Sequence, residues 1–135
     1  MKKRNGFTLV ELLAVIVILA IILVIAVPQI MATIDNARLG AFRSTAKLLV
    51  SQAEKQYLVE QTLGSTITTS YADKDACSGL AKLDGNYTSC EITVNNSTGA
   101  ATVKLAGTGK FANYSCGTSG ATASTIETAC VKSNS

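Results

Sequence analysis

The chain has 135 residues and a formal net charge of +3, one domain's worth of sequence whose soluble part must have a modest core. Lys2, Lys3 and Arg4 carry the excess positive charge, and the remaining basic residues balance the nine acidic ones, so no clustered basic surface for nucleic acid is indicated. Histidine is absent. With no imidazole base, no paired-carboxylate pattern and no Ser or Thr in a nucleophile-elbow setting, the sequence does not describe an enzyme, and it implies no cofactor or metal.

The three basic residues precede an apolar stretch from Phe7 to Val27. As helix this stretch is about 32 Å long, enough for the roughly 30 Å hydrocarbon layer of a bilayer. A secretory signal has a shorter apolar core and a small-x-small exit, and Val24-x-Ala26 fits that poorly. The basic cluster predicts a cytoplasmic N-terminus with the rest outside. Glu11 stands inside the stretch, where a carboxylate is costly unless it lies shallow, is neutral or is paired. Either it sits near the headgroups, or it awaits a positive partner supplied by another subunit.

The order Gly6-Phe7-Thr8-Leu9-Val10-Glu11-Leu12-Leu13 resembles the prepilin processing site of type IV pilins and of the pseudopilins of type II secretion and competence systems. The resemblance covers roughly residues 2 to 30, and the helix beyond more loosely. It implies that a membrane-embedded peptidase cuts after Gly6 and methylates the new amine of Phe7. It implies further that Glu11 pairs with the terminal amine of a neighbouring subunit during assembly. Pro28 corresponds to the proline of the family's membrane-spanning stretch and is expected to kink the helix.

The residue chemistry agrees with this. Glycine leaves the bond at Gly6 uncrowded for a protease. Cleavage removes the three charges that hold the precursor at the cytoplasmic face. The new amine and Glu11 would then be a cation and an anion one helical turn apart in one chain, able to meet across two shifted chains in a low-dielectric setting.

Beyond Pro28 the pattern becomes amphipathic. Ile30, Ile34, Ala37, Ala41, Thr45, Leu48, Gln52, Gln56, Val59 and Leu63 recur at spacings of three and four, and Phe42, Ala46, Leu49, Ala53 and Tyr57 form an adjoining stripe. Asp35, Arg43, Lys47, Glu54 and Glu60 lie opposite and read as the polar face. This predicts helix to Leu63, continuous with the membrane segment, with one stripe against a sheet and the other against neighbouring subunits. Gly40 is a soft point and Gly64 a stop.

Ser65 to Ala76 reads as a polar connection, and Asp73-Lys74-Asp75 lacks a calcium-loop pattern. Asn86 to Asn95 alternates, with Cys90, Ile92 and Val94 on one face. Ala101, Val103 and Leu105 alternate again, and Phe111 to Cys116 suggests a third strand, so the sequence predicts a small antiparallel sheet of three or four strands. The tail from Gly117 to Ser135 reads as weakly structured and pinned by Cys130. Gly107-Thr108-Gly109-Lys110 lacks the full phosphate-loop pattern. Asn86-Tyr87-Thr88, Asn96-Ser97-Thr98 and Asn113-Tyr114-Ser115 fit the glycan acceptor pattern only as a Ser/Thr-rich chain does by chance.

Cys77, Cys90, Cys116 and Cys130 are even in number, widely spaced and downstream of a membrane segment, which points to two disulfides outside the cytoplasm. All-cysteine zinc sites come as close pairs, which these are not. Local pairing, Cys77–Cys90 with Cys116–Cys130, is favoured because it closes two short loops and holds the tail. The rival, Cys77–Cys130 with Cys90–Cys116, pins the tail across the domain as the enclosing bridge of many pilin heads does.

The fold expected is α+β, a long N-terminal helix packed in its second half on a small antiparallel sheet. Its parts are a leader (1–6), a transmembrane and filament-core helix (7–28), an amphipathic helix half (29–63) and a disulfide-stapled extracytoplasmic head (64–135). The function expected is that of a structural subunit of a type IV pilus or related filament, serving adhesion, motility or DNA uptake. A secretion pseudopilin and an unrelated membrane-anchored module are the alternatives. Implied partners are copies of the same chain, the prepilin peptidase and methyltransferase, the membrane assembly machinery and, before assembly, the lipid bilayer. The subunit would be a single-pass membrane protein first and part of a cell-surface filament afterwards.

Overall fold

The computed structural model describes residues 5–134. Lys2, Lys3 and Arg4, to which the sequence assigns the cytoplasmic charge cluster, lie outside the described residues. Helix α1 spans Leu9–Leu63 and is followed by β1 (Ser70–Tyr71), α2 (Lys74–Ser78), β2 (Tyr87–Val94) and β3 (Ala101–Gly107). After a 3-10 turn at Gly109–Phe111 come β4 (Tyr114–Ala121), α3 (Ile126–Ala129) and β5 (Cys130–Lys132). The chain divides into two compact units between Asn36 and Ala37.

In the first unit α1 starts at Leu9 and its side chains are exposed almost throughout. Pro28 lies inside the helix, where its missing amide leaves the Val24 carbonyl without its i+4 donor.

In the second unit the remainder of α1 packs on a five-stranded antiparallel sheet, strand order β1-β2-β3-β4-β5. Of the two apolar stripes, the one containing Phe42, Ala46, Leu49, Ala53 and Tyr57 is buried, joined by Val50. The inward faces of the strands supply Ile92, Val94, Val103, Leu105, Tyr114 and Cys116. Phe42 forms the centre of an aromatic cluster with Tyr87, Phe111 and Tyr114, ring centroids 5.6–5.9 Å from its own. The other stripe is left largely open, with Leu48, Val59 and Leu63 exposed.

Helix α1 ends in a Schellman arrangement. Ser65 N–H donates to the Glu60 carbonyl (2.9 Å) and Gly64 N–H to that of Gln61 (3.3 Å), with Gly64 at φ 66°. Glycine adopts this left-handed geometry without the Cβ penalty, so the stop read from Gly64 stands where the sequence puts it.

Several expectations are corrected. The sheet has five strands because Ser70–Tyr71 pairs with Ile92–Thr93 and Cys130–Lys132 pairs with Tyr114–Cys116. Phe111 is not in a strand: Phe111 and Tyr114 are both buried, a spacing of three that a turn satisfies and an alternating strand does not. The turn uses Asn113 at φ 69°, a conformation asparagine tolerates better than most residues. The tail is structured, with Ile126 fully buried and Cys130 inside the core. Glu60, assigned to the polar face, is only 9% exposed.

The disulfides are Cys77–Cys90 and Cys116–Cys130. The first ties α2 to β2. The second joins directly opposed positions of β4 and β5. Each crosslink limits the unfolded chain over a short loop, an effect on the order of 3 kcal/mol in the chain-entropy model.

Candidate processing and assembly segment

Residues 5–8 precede the helix in extended or irregular conformation. At Gly6 a Cβ would meet nothing within 4 Å, and Gly6 is not among the glycines at positive φ. Neither the space around it nor its backbone therefore requires glycine. A requirement for glycine there would arise from whatever binds the segment. Phe7 is 91% exposed, so the Gly6–Phe7 bond lies open between two uncrowded residues.

The helix start is built by two reciprocal hydrogen bonds. Glu11 N–H donates to Thr8 Oγ1 (3.2 Å), and Thr8 N–H donates to Glu11 Oε2 (3.1 Å). This is a capping box, with Thr8 as N-cap and Glu11 three residues on, satisfying two of the donors a helix leaves free at its start. The pattern Thr-x-x-Glu ahead of an apolar run carries this signal in the sequence, although reading Glu11 only as an anion among apolar residues passed over it. Glu11 also sits in the first turn, where the helix dipole favours negative charge. The carboxylate thus has a local partner in Thr8, and both members of the box lie on the C-terminal side of the Gly6–Phe7 bond.

From Leu9 to Val27 the large apolar side chains are all exposed. Sequestering one such side chain from water is worth on the order of 1.5–3 kcal/mol. A helix apolar on every side and buried against nothing in its own chain is matched to lipid or to other apolar helices. One helix among the described residues is long and apolar enough to cross a membrane, and its apolar window lies near the N-terminus.

In the second unit Arg43, Lys47 and Glu54 of α1 are tied to the head. Arg43 Nε donates to the Cys130 carbonyl (3.0 Å) and its guanidinium pairs with Glu127 (3.2 Å), which Lys47 also engages. Ala101 N–H donates to Glu54 Oε1 (3.2 Å). Hydrogen bonding from Lys47, then its charge, holds the Glu127 carboxyl below the ordinary range.

The minor sequence features have structural roles. Asp73 Oδ1 accepts from Ala76 N–H (2.8 Å) and caps α2. Lys110 pairs with Asp84 (3.1 Å), and Asp84 accepts from Asn86 N–H (2.9 Å), the bond that most lowers its pKa. Among the described residues no group of three or more His, Cys, Asp or Glu is placed to hold a metal ion.

Residues 1–27 match a family model described as the prokaryotic N-terminal methylation motif. No curated protein and no solved structure matches the chain.

Proposed function

Because a methylation motif leads into a long helix that packs on an antiparallel sheet, the architecture of type IV pilins and pseudopilins, we propose that this chain is a structural subunit of a type IV pilus or related filament. In this reading residues 1–6 are a leader, cut after Gly6, and Phe7 becomes the N-methylated first residue. The 7–28 segment anchors the subunit in the bilayer and then forms the filament core. The 29–63 half links it to the head, 64–135. Pro28 lets the apolar helix bend where segments pack together.

The observation that carries the reading is Glu11 in the first turn of α1, at the start of its exposed apolar segment and four residues after Phe7, where processing would create the new amine. Cleavage creates a cation at Phe7. In an apolar setting a carboxylate and an amine attract far more strongly than in water, so the new amine of one subunit can dock on Glu11 of another. The apolar surface serves both stages, since lipid tails and neighbouring helices are alike apolar. Partners are other copies, the processing peptidase and methyltransferase, and the membrane assembly machinery.

The chain acts here as a building block and as a substrate, not as a catalyst. A Ser/Thr-rich, two-disulfide head favours a pilus exposed at the cell surface, with adhesion, motility or DNA uptake as its service, over a secretion pseudopilin. The test is filament yield from cells whose only copy is Glu11→Ala. The subunit should be processed and inserted at parental level, while sheared filaments fall at least tenfold. Parental filament yield would refute the docking role of Glu11.

A further inference from the structure

The connection from Gly64 to Thr69 is held down by one carboxylate. Thr68 N–H donates to Glu60 Oε2 (2.6 Å) and Thr68 Oγ1 donates to Oε1 (3.1 Å), which also receives Gln56 Nε2 (2.9 Å). Glu60 lies in the last turn of α1, at the end where the helix dipole disfavours an anion, and that turn carries no basic residue. No Lys or Arg among the described residues forms an ion pair with it. A glutamate there gains nothing from the helix dipole and is stabilised by the donors it collects, one of them Gln56 of the same helix.

Besides this carboxylate, the helix-ending bonds from Gly64 and Ser65 N–H fix the start of the connection, and a few contacts hold its far end. Val94 N–H donates to the Thr69 carbonyl (2.8 Å), and the two-residue β1 pairs with β2. Ile67 packs on the core, half-buried. Both disulfides lie beyond it in the chain.

We propose that residues 64–69 form an acid-released strap whose closing latch is the ionised carboxylate of Glu60. Its three hydrogen bonds are charge-assisted while the group is ionised. Protonation turns one acceptor site into a donor and leaves the Thr68 bonds neutral and weaker. The other titratable group facing it is Tyr71 of β1, whose phenol is pushed up by burial and then by the Glu60 charge, so it stays neutral throughout the acid range. The Thr68 N–H bond, then Gln56, holds the Glu60 carboxyl below the ordinary range. A folded value below the unfolded one means that the latch is closed above the ordinary carboxylate range and is lost as pH falls through the lowered value. Release would free Ile67 from the core against which it packs.

The test is hydrogen exchange of the full chain in detergent micelles, expressed as protection relative to intrinsic rates at each pH. In the parent, the Thr68 amide, which donates to the Glu60 carboxylate, should be protected at neutral pH and lose roughly fivefold to tenfold in protection on the acid side, the difference between a charged and a neutral hydrogen bond, while β2 and β3 stay protected. Glu60→Gln, which keeps an acceptor without charge, should show weaker strap protection that no longer depends on pH. A flat parental profile, a Glu60→Gln profile that titrates like the parent, or loss of protection in β2 and β3 at the same pH would each overturn the proposal.

Discussion

Gly99 lies under the ring of Tyr57: a Cβ at position 99 would stand 2.7 Å from Tyr57 Cδ1 and Cε1. The Tyr57 hydroxyl donates to the Asn96 carbonyl (2.8 Å), so one aromatic side chain on α1 both covers and hydrogen-bonds the β2–β3 turn. Gly99 is at φ 72°, which adds backbone strain to the overlap for any other residue. Gly99→Ala should cost about 2–3 kcal/mol, measured by denaturant unfolding of the full chain in micelles. A cost under about 0.5 kcal/mol would show that this contact does not fix the turn.

The capping box makes a prediction about the first turn of α1. Thr8→Val keeps the shape and removes the acceptor for Glu11 N–H. It should weaken the helix start by about 1 kcal/mol, seen as roughly fivefold faster exchange of the Glu11 amide, and Thr8→Ser should restore the parental rate. Equal rates in all three proteins would show that the hydroxyl does not cap the helix.

How much of this was legible in the sequence depended on what kind of force built each element. The apolar segment announces itself by unbroken hydropathy, and the amphipathic half of α1 and strands β2 and β3 do so because side-chain burial imposes its period on the residues. The buried stripe through Phe42, Leu49 and Tyr57 could be separated from the exposed one through Leu48, Val59 and Leu63 only by the sheet itself. Strands β1 and β5 and the far part of β4 did not show, because backbone pairing and a disulfide hold them, and residues such as Ser70, Gly117 and Thr118 carry no apolar alternation. Glu60 was misread for a related reason: helical position marks it as polar, while its partner Thr68 comes from a loop whose return the period cannot reveal. In the candidate site, the roles proposed for Gly6, Phe7 and Glu11 rest on their order in the sequence. The Thr8–Glu11 box was also written there as Thr-x-x-Glu, but the charge of Glu11 drew the reading towards a distant partner.

The Arg43–Lys47–Glu127 contact should be pH-dependent. The Glu127 carboxyl is lowered in the folded chain by Lys47 first, so its stabilisation is present above the ordinary carboxylate value near 4.3 and disappears as pH falls through the lowered one. Urea midpoints of parent and Glu127→Gln should therefore differ at pH 7 and converge in acid. A constant difference across that range would rule out the ionised carboxylate as the source.

Arg43 should matter more than its ion pair, because its Nε also serves the buried Cys130 carbonyl. Arg43→Lys, which keeps the charge without the fork, should destabilise the chain by about 1–2 kcal/mol and make the C-terminal segment from Ile126 onward the first site of proteolysis. Unchanged cleavage kinetics would show that the disulfide and Ile126 hold that segment without help.

The most direct test of the whole account is the intact mass of the subunit recovered from sheared surface filaments, with sequencing of its N-terminus. The account predicts a chain that starts at Phe7, lacks residues 1–6, and carries one methyl group on its terminal amine. Filament material that retains Lys2 and Lys3, or that begins at any residue other than Phe7, would contradict it.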